Sequence, residues 1–157
     1  MKDIIVRKAK VKDFPQLIEL FLSFYTYIRK IDPSFRLAKN PKEISQKYLR
    51  RFIYPKNRNL IVAEKNGELI GFMSLTVAKN SSLFVSQKSG IISEAYVIEK
   101  MRKMGVNHLI TRMAYSWFKE NNVKKVELFV LPGNEIGRKV WEKEGFQDVL
   151  LKKRRFI

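Results

Sequence analysis

The chain has 157 residues and no cysteine, and its 32 Lys and Arg against 15 Asp and Glu give a formal net charge of +17. Without cysteine it can form neither a disulfide framework, nor a thiolate nucleophile, nor a cysteine-ligated metal site. An apolar content of 45% argues against disorder and no apolar run is long enough to cross a bilayer, so we expect one cytoplasmic domain over residues 1–157, without a membrane partner.

The opening residues predict a strand followed by two helices. The strand covers residues 4–7, and Asp13 can cap a helix in which Gln16, three residues later, completes a capping box. Apolar residues then recur every three or four positions, up to Asp32 and Pro33, which is the spacing of one apolar helix face. A second, shorter helix with the same spacing ends before Pro55.

Three strands are predicted in the middle of the chain. Residues 60–65 and 68–77 flank Asn66-Gly67, which strongly indicates a type I′ hairpin turn. Residues 78–89 are polar except for one apolar triplet, and we interpret them as a longer hairpin loop or a strand extension. Residues 90–97 are apolar and β-rich, and they predict the fourth strand of the chain.

The last third of the chain predicts two helices and two more strands. An unbroken apolar stripe from Val106 to Phe118 predicts a helix that ends at Asn121. A strand over residues 123–130 leads to a helix over residues 134–144 that Asn134 can cap, and residues 146–151 predict a final strand. The element order β-α-α-β-β-β-α-β-α-β indicates an α/β or α+β sandwich with a mixed sheet.

The segment YVIEKMRKMGVN, residues 96–107, carries the clearest functional signal. The strand that ends at Val97 delivers Arg102, Lys103 and Gly105 to the N-terminus of the third helix. Backbone N–H groups at a helix start lack intrahelical partners, and the helix dipole favours anions there. Gly105 lets the backbone approach an oxygen closely, and the two cations add attraction. The pattern indicates a phosphate-binding turn, and a solvated strand-to-helix connection is the alternative.

This segment resembles the acyl-CoA motif of the GCN5-related N-acetyltransferases, in which a strand ending in Val leads to Arg/Gln-x-x-Gly-x-Gly/Ala. Val97, Arg102 and Gly105 match the motif, whereas Asn107 departs from the small residue expected last. A second segment, NEIGRKVWEKEGF, resembles the family's C-terminal motif, with a glycine in place of an alanine and Trp141 in place of a tyrosine. The matching residues of this second motif are Asn134, Glu142, Lys143, Gly145 and Phe146.

The resemblance implies a fold, a co-substrate and a set of binding residues. The fold would be a central mixed, mostly antiparallel sheet of six to seven strands flanked by about four helices. Acetyl-CoA would donate an acetyl group, without a metal, to an amine of a peptide, protein or small metabolite. Backbone groups of Ala95 and Val97 would bind its pantetheine arm, and the turn at residues 102–107 would bind its pyrophosphate. The implied cofactor-binding residues are Ala95, Tyr96, Val97, Arg102, Lys103, Met104, Gly105, Val106, Asn107 and Asn134.

Glu94 is the best candidate for a catalytic carboxylate. Some family members carry a Glu-Asp pair here, and this chain keeps one carboxylate, at the second position of Ser93-Glu94. An amine must lose protons to react, so Glu94 can serve as a base acting through water. By strand alternation it shares a face with Ile92 and Tyr96. The alternative is a structural ion pair with one of the many Lys and Arg residues.

Two further residues bear on proton transfer. The family's tyrosine at the position of Trp141 often protonates the departing thiolate, and an indole N–H cannot do so. His108, the single histidine, lies in the first turn of the third helix. A histidine can serve in proton transfer, but we interpret His108 as a partly exposed helix residue.

Other functions are compatible with this sequence. A basic protein that binds nucleic acid would also explain the net charge, and a CoA-binding sensor or interaction module of the same fold would explain Trp141. Nucleic acid is therefore a possible but not favoured partner, and a role in solubility or thermostability is an alternative explanation of the charge. We expect a monomer or a homodimer.

Overall fold

The computed structural model describes residues 3–81, 83 and 88–157, and the predictions for the other residues of the 78–89 segment lie outside these ranges. The strands are β1 (Ile4–Lys8), β2 (Arg58–Lys65), β3 (Glu68–Lys79), β4 (Lys88–Val97) and β5 (Val126–Leu128). The helices are α1 (Phe14–Ile31), α2 (Pro41–Arg50), α3 (Val106–Glu120) and α4 (Glu135–Lys143). Short 3-10 turns, Val11–Asp13 and Glu99–Met101, precede α1 and follow β4.

The five strands form one mixed sheet in the order β1-β2-β3-β4-β5. The first four pair antiparallel, and β5 runs parallel to β4. The β2–β3 turn has positive φ at both Asn66 (51°) and Gly67 (80°), which confirms the predicted type I′ geometry. The fold class is the expected one.

The strand count is lower than the six to seven expected. The predicted strand over residues 123–130 is reduced to Val126–Leu128, and residues 146–151 form no strand. Phe146 packs against the α3 core, but the apolar side chains of Val149, Leu150 and Leu151 are 79–85% exposed, so the rest of this segment buries no apolar surface that would hold it against the sheet. The sixth strand was predicted over residues 146–151 from apolar composition alone, and a strand also needs tertiary packing, which most of this segment lacks.

The prediction of a capping box formed by Asp13 and Gln16 is also wrong. Asp13 makes no side-chain cap of α1. Its carboxylate instead accepts the Lys10 N–H at 2.7 Å and a bidentate pair of bonds from the Arg7 guanidinium. Gln16 reaches across to the β2–β3 hairpin, where it donates to the Gly67 carbonyl and accepts from the Leu69 N–H. The capping box predicted that Asp13 and Gln16 bind groups in the first turn of α1, whereas both side chains bind groups outside that turn.

The sheet separates two apolar cores. Ile61 and Ala63 of β2 point to the core under α3, which also holds Ile110, Phe118 and Trp141. The alternate β2 residues Leu60 and Val62 point to the core under α1 and α2, with Leu17, Phe21, Leu49 and Phe72. In the described part of the chain, no helix has the length and apolarity needed to span a membrane.

A β-bulge in β4 changes which side chains face which core. Ser74 of β3 pairs with Glu94, whereas the next residue, Leu75, pairs with Ile92, so Ser93 is an extra residue in β4. Ile92 therefore packs in the α3 core, and Glu94 points to the α1–α2 side. The prediction that Glu94 shares a face with Ile92 is wrong, because the bulge interrupts the alternation, whereas the prediction that it shares a face with Tyr96 is confirmed.

Candidate functional site

The strands β4 and β5 separate after three residue pairs, and this opens a gap at one edge of β4. Their pairing runs only from Gly90 with Val126 to Ile92 with Leu128, whereas β4 continues to Val97. The Ile98 N–H donates to the Ile70 carbonyl of β3 at 3.0 Å. Because strand backbones alternate, the N–H and C=O groups of Ala95 and Val97 point away from β3, into the gap. An extended polar ligand can pair with them there.

The same alternation gives Tyr96 a different position. Its main chain pairs with Phe72 of β3, and its ring lies on the α1 side, with its centroid 6.3 Å from that of Phe24. Of the three β4 residues implied as cofactor contacts, only Ala95 and Val97 present backbone groups to the gap.

The gap leads to a tight turn and the N-terminus of α3. Lys103 (φ 62°) and Gly105 (φ 75°) both adopt left-handed conformations, and Gly105 is the N-terminal cap residue. The first helical bond runs from the Leu109 N–H to the Gly105 carbonyl, so the N–H groups of residues 106–108 precede it. Lys103, Met104 and Gly105 are exposed, whereas Val106 is buried. The turn thus offers backbone donors and a cation to an anion in solvent.

Arg102 folds back over the gap and does not point into solvent. Its Nε donates to the Val97 carbonyl at 3.1 Å, and its guanidinium lies 4.9 Å from the ring centroid of Tyr27 and 5.6 Å from that of Tyr96. The Tyr27 hydroxyl in turn donates to Asn134 Oδ1 at 2.8 Å. Residues that follow β4 and β5 are therefore linked through one side chain of α1.

Asn134 caps α4, as its position in the second motif predicts. Its Oδ1 accepts the Gly137 N–H at 3.0 Å. A Cβ at position 137 would lie 2.5 Å from Asn134 Nδ2, so the glycine found here gives the asparagine its room. Asn107, which departs from the first motif, donates from Nδ2 to Thr111 Oγ1 at 3.4 Å, within α3.

Glu94 lies in β4, two residues after the last pair with β5, and it is buried, with 6% of its surface exposed. Its Oε1 accepts from the hydroxyls of Tyr48 at 2.8 Å and Tyr25 at 3.2 Å, and its Oε2 accepts from the Ser74 hydroxyl. Its own N–H donates to Ser74 Oγ at 3.1 Å. No ion pair of Glu94 occurs within the described ranges, which argues against the structural salt bridge.

Burial raises the pKa of Glu94 above its ordinary value, and the three hydroxyl donors only partly offset this rise. Burial also raises the pKa of both Tyr25 and Tyr48, and the nearby carboxylate adds to the effect. The two phenols therefore stay protonated and hold the carboxylate in place. A carboxylate with a raised pKa is a stronger base than one in water, which suits proton transfer.

Trp141 and His108 do not join this cluster. Trp141 is 9% exposed in the α3 core, edge to face with Phe146 at a centroid distance of 5.3 Å. His108 lies on the surface, with 61% of its side chain exposed, and its Nδ1 lies 3.0 Å from Glu144 Oε1. The interpretation of His108 as a partly exposed helix residue agrees with this geometry.

Four side chains around the site were not singled out from the sequence: Tyr25, Tyr27, Tyr48 and Ser74. Tyr25 and Tyr48 continue the apolar stripes of their helices, and this spacing predicts core positions for them. Tyr27 lies off its stripe, and Ser74 lies within an apolar strand. A polar residue inside such a strand was the one signal available, since buried hydroxyls need partners.

Comparison with known protein families decides the assignment. The sequence model of the acetyltransferase (GNAT) family matches residues 14–146. The chain belongs to the GNAT family. The family expected from the two motifs is thereby confirmed, and a search of curated protein sequences finds no significant match.

Solved structures share this GNAT fold at low sequence identity. A variant of a Bacillus halodurans protein aligns with a TM-score of 0.86 and 18% identity, over 98% of this chain and 99% of its own. A predicted acetyltransferase from Clostridium acetobutylicum, solved with acetyl-CoA, aligns at 0.75 and 21%, over 96% of both chains. An aminoglycoside N-acetyltransferase in complex with CoA aligns at 0.76 and 15%, over 98% of this chain and 95% of its own.

Proposed function

We propose that this protein is an acetyl-CoA-dependent N-acetyltransferase that transfers an acetyl group to an amine of a peptide, a protein or a small metabolite. The observation that carries the proposal is the continuous path from the open edge of β4 to the start of α3. Along it lie the backbone groups of Ala95 and Val97 and the left-handed turn at Gly105. GNAT membership and the relatives solved with CoA or acetyl-CoA support it.

The residues present fit such a co-substrate. An extended pantetheine arm carries amide groups that can pair with the free strand edge at Ala95 and Val97. The N–H groups at the start of α3 and the Lys103 ammonium suit a pyrophosphate. Arg102 would exchange the Val97 carbonyl for a phosphate oxygen, since a charge-assisted bond is the stronger one.

Acetyl-CoA supplies the acetyl group as an activated thioester. In our proposal the acceptor nitrogen forms a bond to the acetyl carbon as the carbon–sulfur bond breaks. Glu94 takes the proton that the nitrogen loses, through a water molecule, and returns it to solvent. Trp141 cannot protonate the departing thiolate, so water gives that proton. The raised pKa of Glu94 favours its role as a base, and Tyr25 and Tyr48 keep its carboxylate in one orientation.

Ligand-induced stabilisation tests the co-substrate. Acetyl-CoA at about 100 times its dissociation constant should stabilise the folded protein by roughly 2.7 kcal/mol in thermal unfolding. Adenosine, which lacks both phosphates and arm, is the matched control and should have little effect. The absence of any shift with millimolar acetyl-CoA would contradict the proposal. A panel of amine acceptors, followed by CoA release, then tests catalysis.

A second candidate is a CoA-binding module of the same fold with little or no turnover. The buried Trp141 favours it, because the usual proton donor is missing. The two candidates separate in one experiment: the module binds acetyl-CoA with the same stabilisation but releases no CoA with any acceptor of the panel.

A further inference from the structure

Tyr27 occupies a position that the proposed N-acetyltransferase site does not yet use. It is half-buried near the end of α1, between two parts of the chain that are distant in sequence. Its ring lies under the Arg102 guanidinium, and its hydroxyl binds Asn134. Arg102 follows β4 and Asn134 follows β5, so Tyr27 spans the mouth of the gap between the two strands.

The packing of α1 explains why Tyr27 points there. The residue that follows it, Ile28, is buried, so Tyr27 falls at the edge of the helix face that covers the sheet. One turn later, Ile31 lies against the turn that precedes α4, since a Cβ at Gly133 would be 3.0 Å from Ile31 Cγ2. The last two turns of α1 thus lie beside the start of α4.

The hydrogen bond to Asn134 also fixes the orientation of its amide. Oδ1 accepts from both the Tyr27 hydroxyl and the Gly137 N–H. Neither of these bonds uses the two amide donors of Nδ2. Without the Tyr27 hydroxyl, one of the two contacts that distinguish Oδ1 from Nδ2 would be lost.

We propose that Tyr27 is a positioning residue for the pantetheine arm of acetyl-CoA. It closes the gap from the α1 side, with its ring over the arm and its hydroxyl holding the Asn134 amide. This inference rests on the proposed function. It assigns to α1 a contact with the arm and not with the phosphates, since the phosphate turn lies at the start of α3.

A pair of ligands separates the arm from the phosphates. Acetyl-CoA contains both, and 3′-phosphoadenosine 5′-diphosphate contains the phosphates without the arm. Calorimetry should show that Tyr27→Ala weakens acetyl-CoA binding by about tenfold, or about 1.4 kcal/mol, more than it weakens binding of 3′-phosphoadenosine 5′-diphosphate, to which Tyr27 contributes only through its ring contact with Arg102. Tyr27→Phe keeps the ring and should weaken acetyl-CoA by about threefold to tenfold, the usual effect of one lost neutral hydrogen bond. Thermal unfolding checks that each variant is folded, and Tyr27→Phe carries the test if the alanine variant is not.

Tyr54→Ala is the matched control, because this tyrosine is 75% exposed in the loop after α2 and should affect neither ligand. Unchanged acetyl-CoA affinity in the Tyr27 variants would overturn the inference. Equal weakening of both ligands would also overturn it, since Tyr27 would then act through the phosphate turn. Tighter binding of acetyl-CoA to the Tyr27 variants would also overturn it, since Tyr27 would then compete with the arm for the gap. If the wild-type protein binds 3′-phosphoadenosine 5′-diphosphate but not acetyl-CoA, the proposed contact with the arm is wrong. If it binds neither ligand, the proposed function itself is wrong.

Discussion

Replacing Glu94 by glutamine should separate stability from catalysis. The carboxylate is buried, and burial raises its pKa despite three hydroxyl donors. A raised pKa means that the folded protein favours the neutral form of this side chain more than water does. Glutamine has the same shape and no charge. Its oxygen can accept from Tyr25 and Tyr48, and the Ser74 hydroxyl can turn to accept from its amide. Glu94→Gln should therefore be no less stable than the wild type at neutral pH.

Glu94→Ala should behave differently, because it removes the acceptor of three buried hydroxyls and leaves a cavity. Each stranded polar group costs about 1–3 kcal/mol, and relaxation or water entry recovers part of this. We expect a loss of roughly 3–5 kcal/mol, comparable to a large-to-small change in a core. Denaturant unfolding of the three proteins, with equal m-values, measures these differences.

The pH dependence of stability gives the sign of the effect. Between the ordinary pKa of a glutamate and its raised folded value, the folded state binds more protons than the unfolded state at this site. Wild-type stability from Glu94 therefore falls as pH rises through that window and is constant above it. Glu94→Gln does not titrate, so its stability relative to the wild type should rise through the same window. The other titrating groups cancel in the difference.

Catalysis should respond in the opposite direction. Removing a general base typically costs about 10²- to 10⁴-fold in rate, so Glu94→Gln should lose activity in this range, measured as CoA release with an acceptor from the panel. The wild-type kcat/KM should rise with pH along an acidic limb above the ordinary carboxylate range, and this limb should vanish in the variant. Retention of kcat/KM within about threefold would refute the base assignment. A variant less stable than the wild type at neutral pH would refute the argument from burial.

Two further predictions concern the motifs. Gly105→Val should sharply weaken acetyl-CoA binding in calorimetry while the fold survives, because a β-branched side chain resists φ of 75° and crowds the phosphates. Gly67→Val imposes a similar strain in the β2–β3 hairpin and should leave binding unchanged, and equal binding by both variants would show that this turn is not the phosphate site. Trp141→Tyr should raise kcat or leave it unchanged, since it restores the proton donor of the family. A large fall in kcat with stability intact would mean that Trp141 acts in catalysis.

Local signals in the sequence predicted local structure well. The Asn66-Gly67 turn and the Asn134 cap depend on residues a few positions apart, and both were predicted. The capping box at Asp13 failed because groups outside α1 bind its members: Arg7 and Lys10 bind Asp13, and the distant β2–β3 hairpin binds Gln16. The prediction of a sixth strand failed for a related reason. A segment forms a strand only where the edge of a neighbouring strand is available for pairing, and composition does not show this.

In the candidate site too, local sequence signals were predicted and contacts that depend on the fold were not. Glu94 and the turn at Gly105 were identified from motifs that are continuous in sequence. The hydroxyls that hold Glu94 come from Tyr48 and Tyr25, 46 and 69 residues away. Its orientation also depends on the bulge at Ser93, which no periodic pattern reveals. The motifs therefore identified the candidate residues, and only the fold gave their surroundings.

The acceptor is the remaining question, and the carboxylates of the α1–α2 face bear on it. Lys42 binds Glu19 at 2.7 Å, and Lys47 binds Glu43 at 2.7 Å. The third carboxylate, Asp32, accepts from Arg154 at 2.9 Å. Each is already neutralised by a cation of this chain. The two helices and the segments that follow them carry further exposed cations: Arg29, Lys30, Arg36, Lys39, Arg50 and Arg51.

A polycationic amine would therefore meet like charge on this face. We propose that the acceptor binds at the first two helices, where the buried Glu94 already accepts hydrogen bonds from hydroxyls. Like-charge repulsion lowers encounter rates, most strongly at low salt, and an acidic group on the acceptor reverses the effect. We expect an acidic peptide to have a higher kcat/KM than spermidine, and its advantage to shrink as ionic strength rises. Measuring both acceptors at two salt concentrations tests this. If spermidine is the better acceptor at low salt, the acceptor must bind where a local acidic pocket outweighs the net charge.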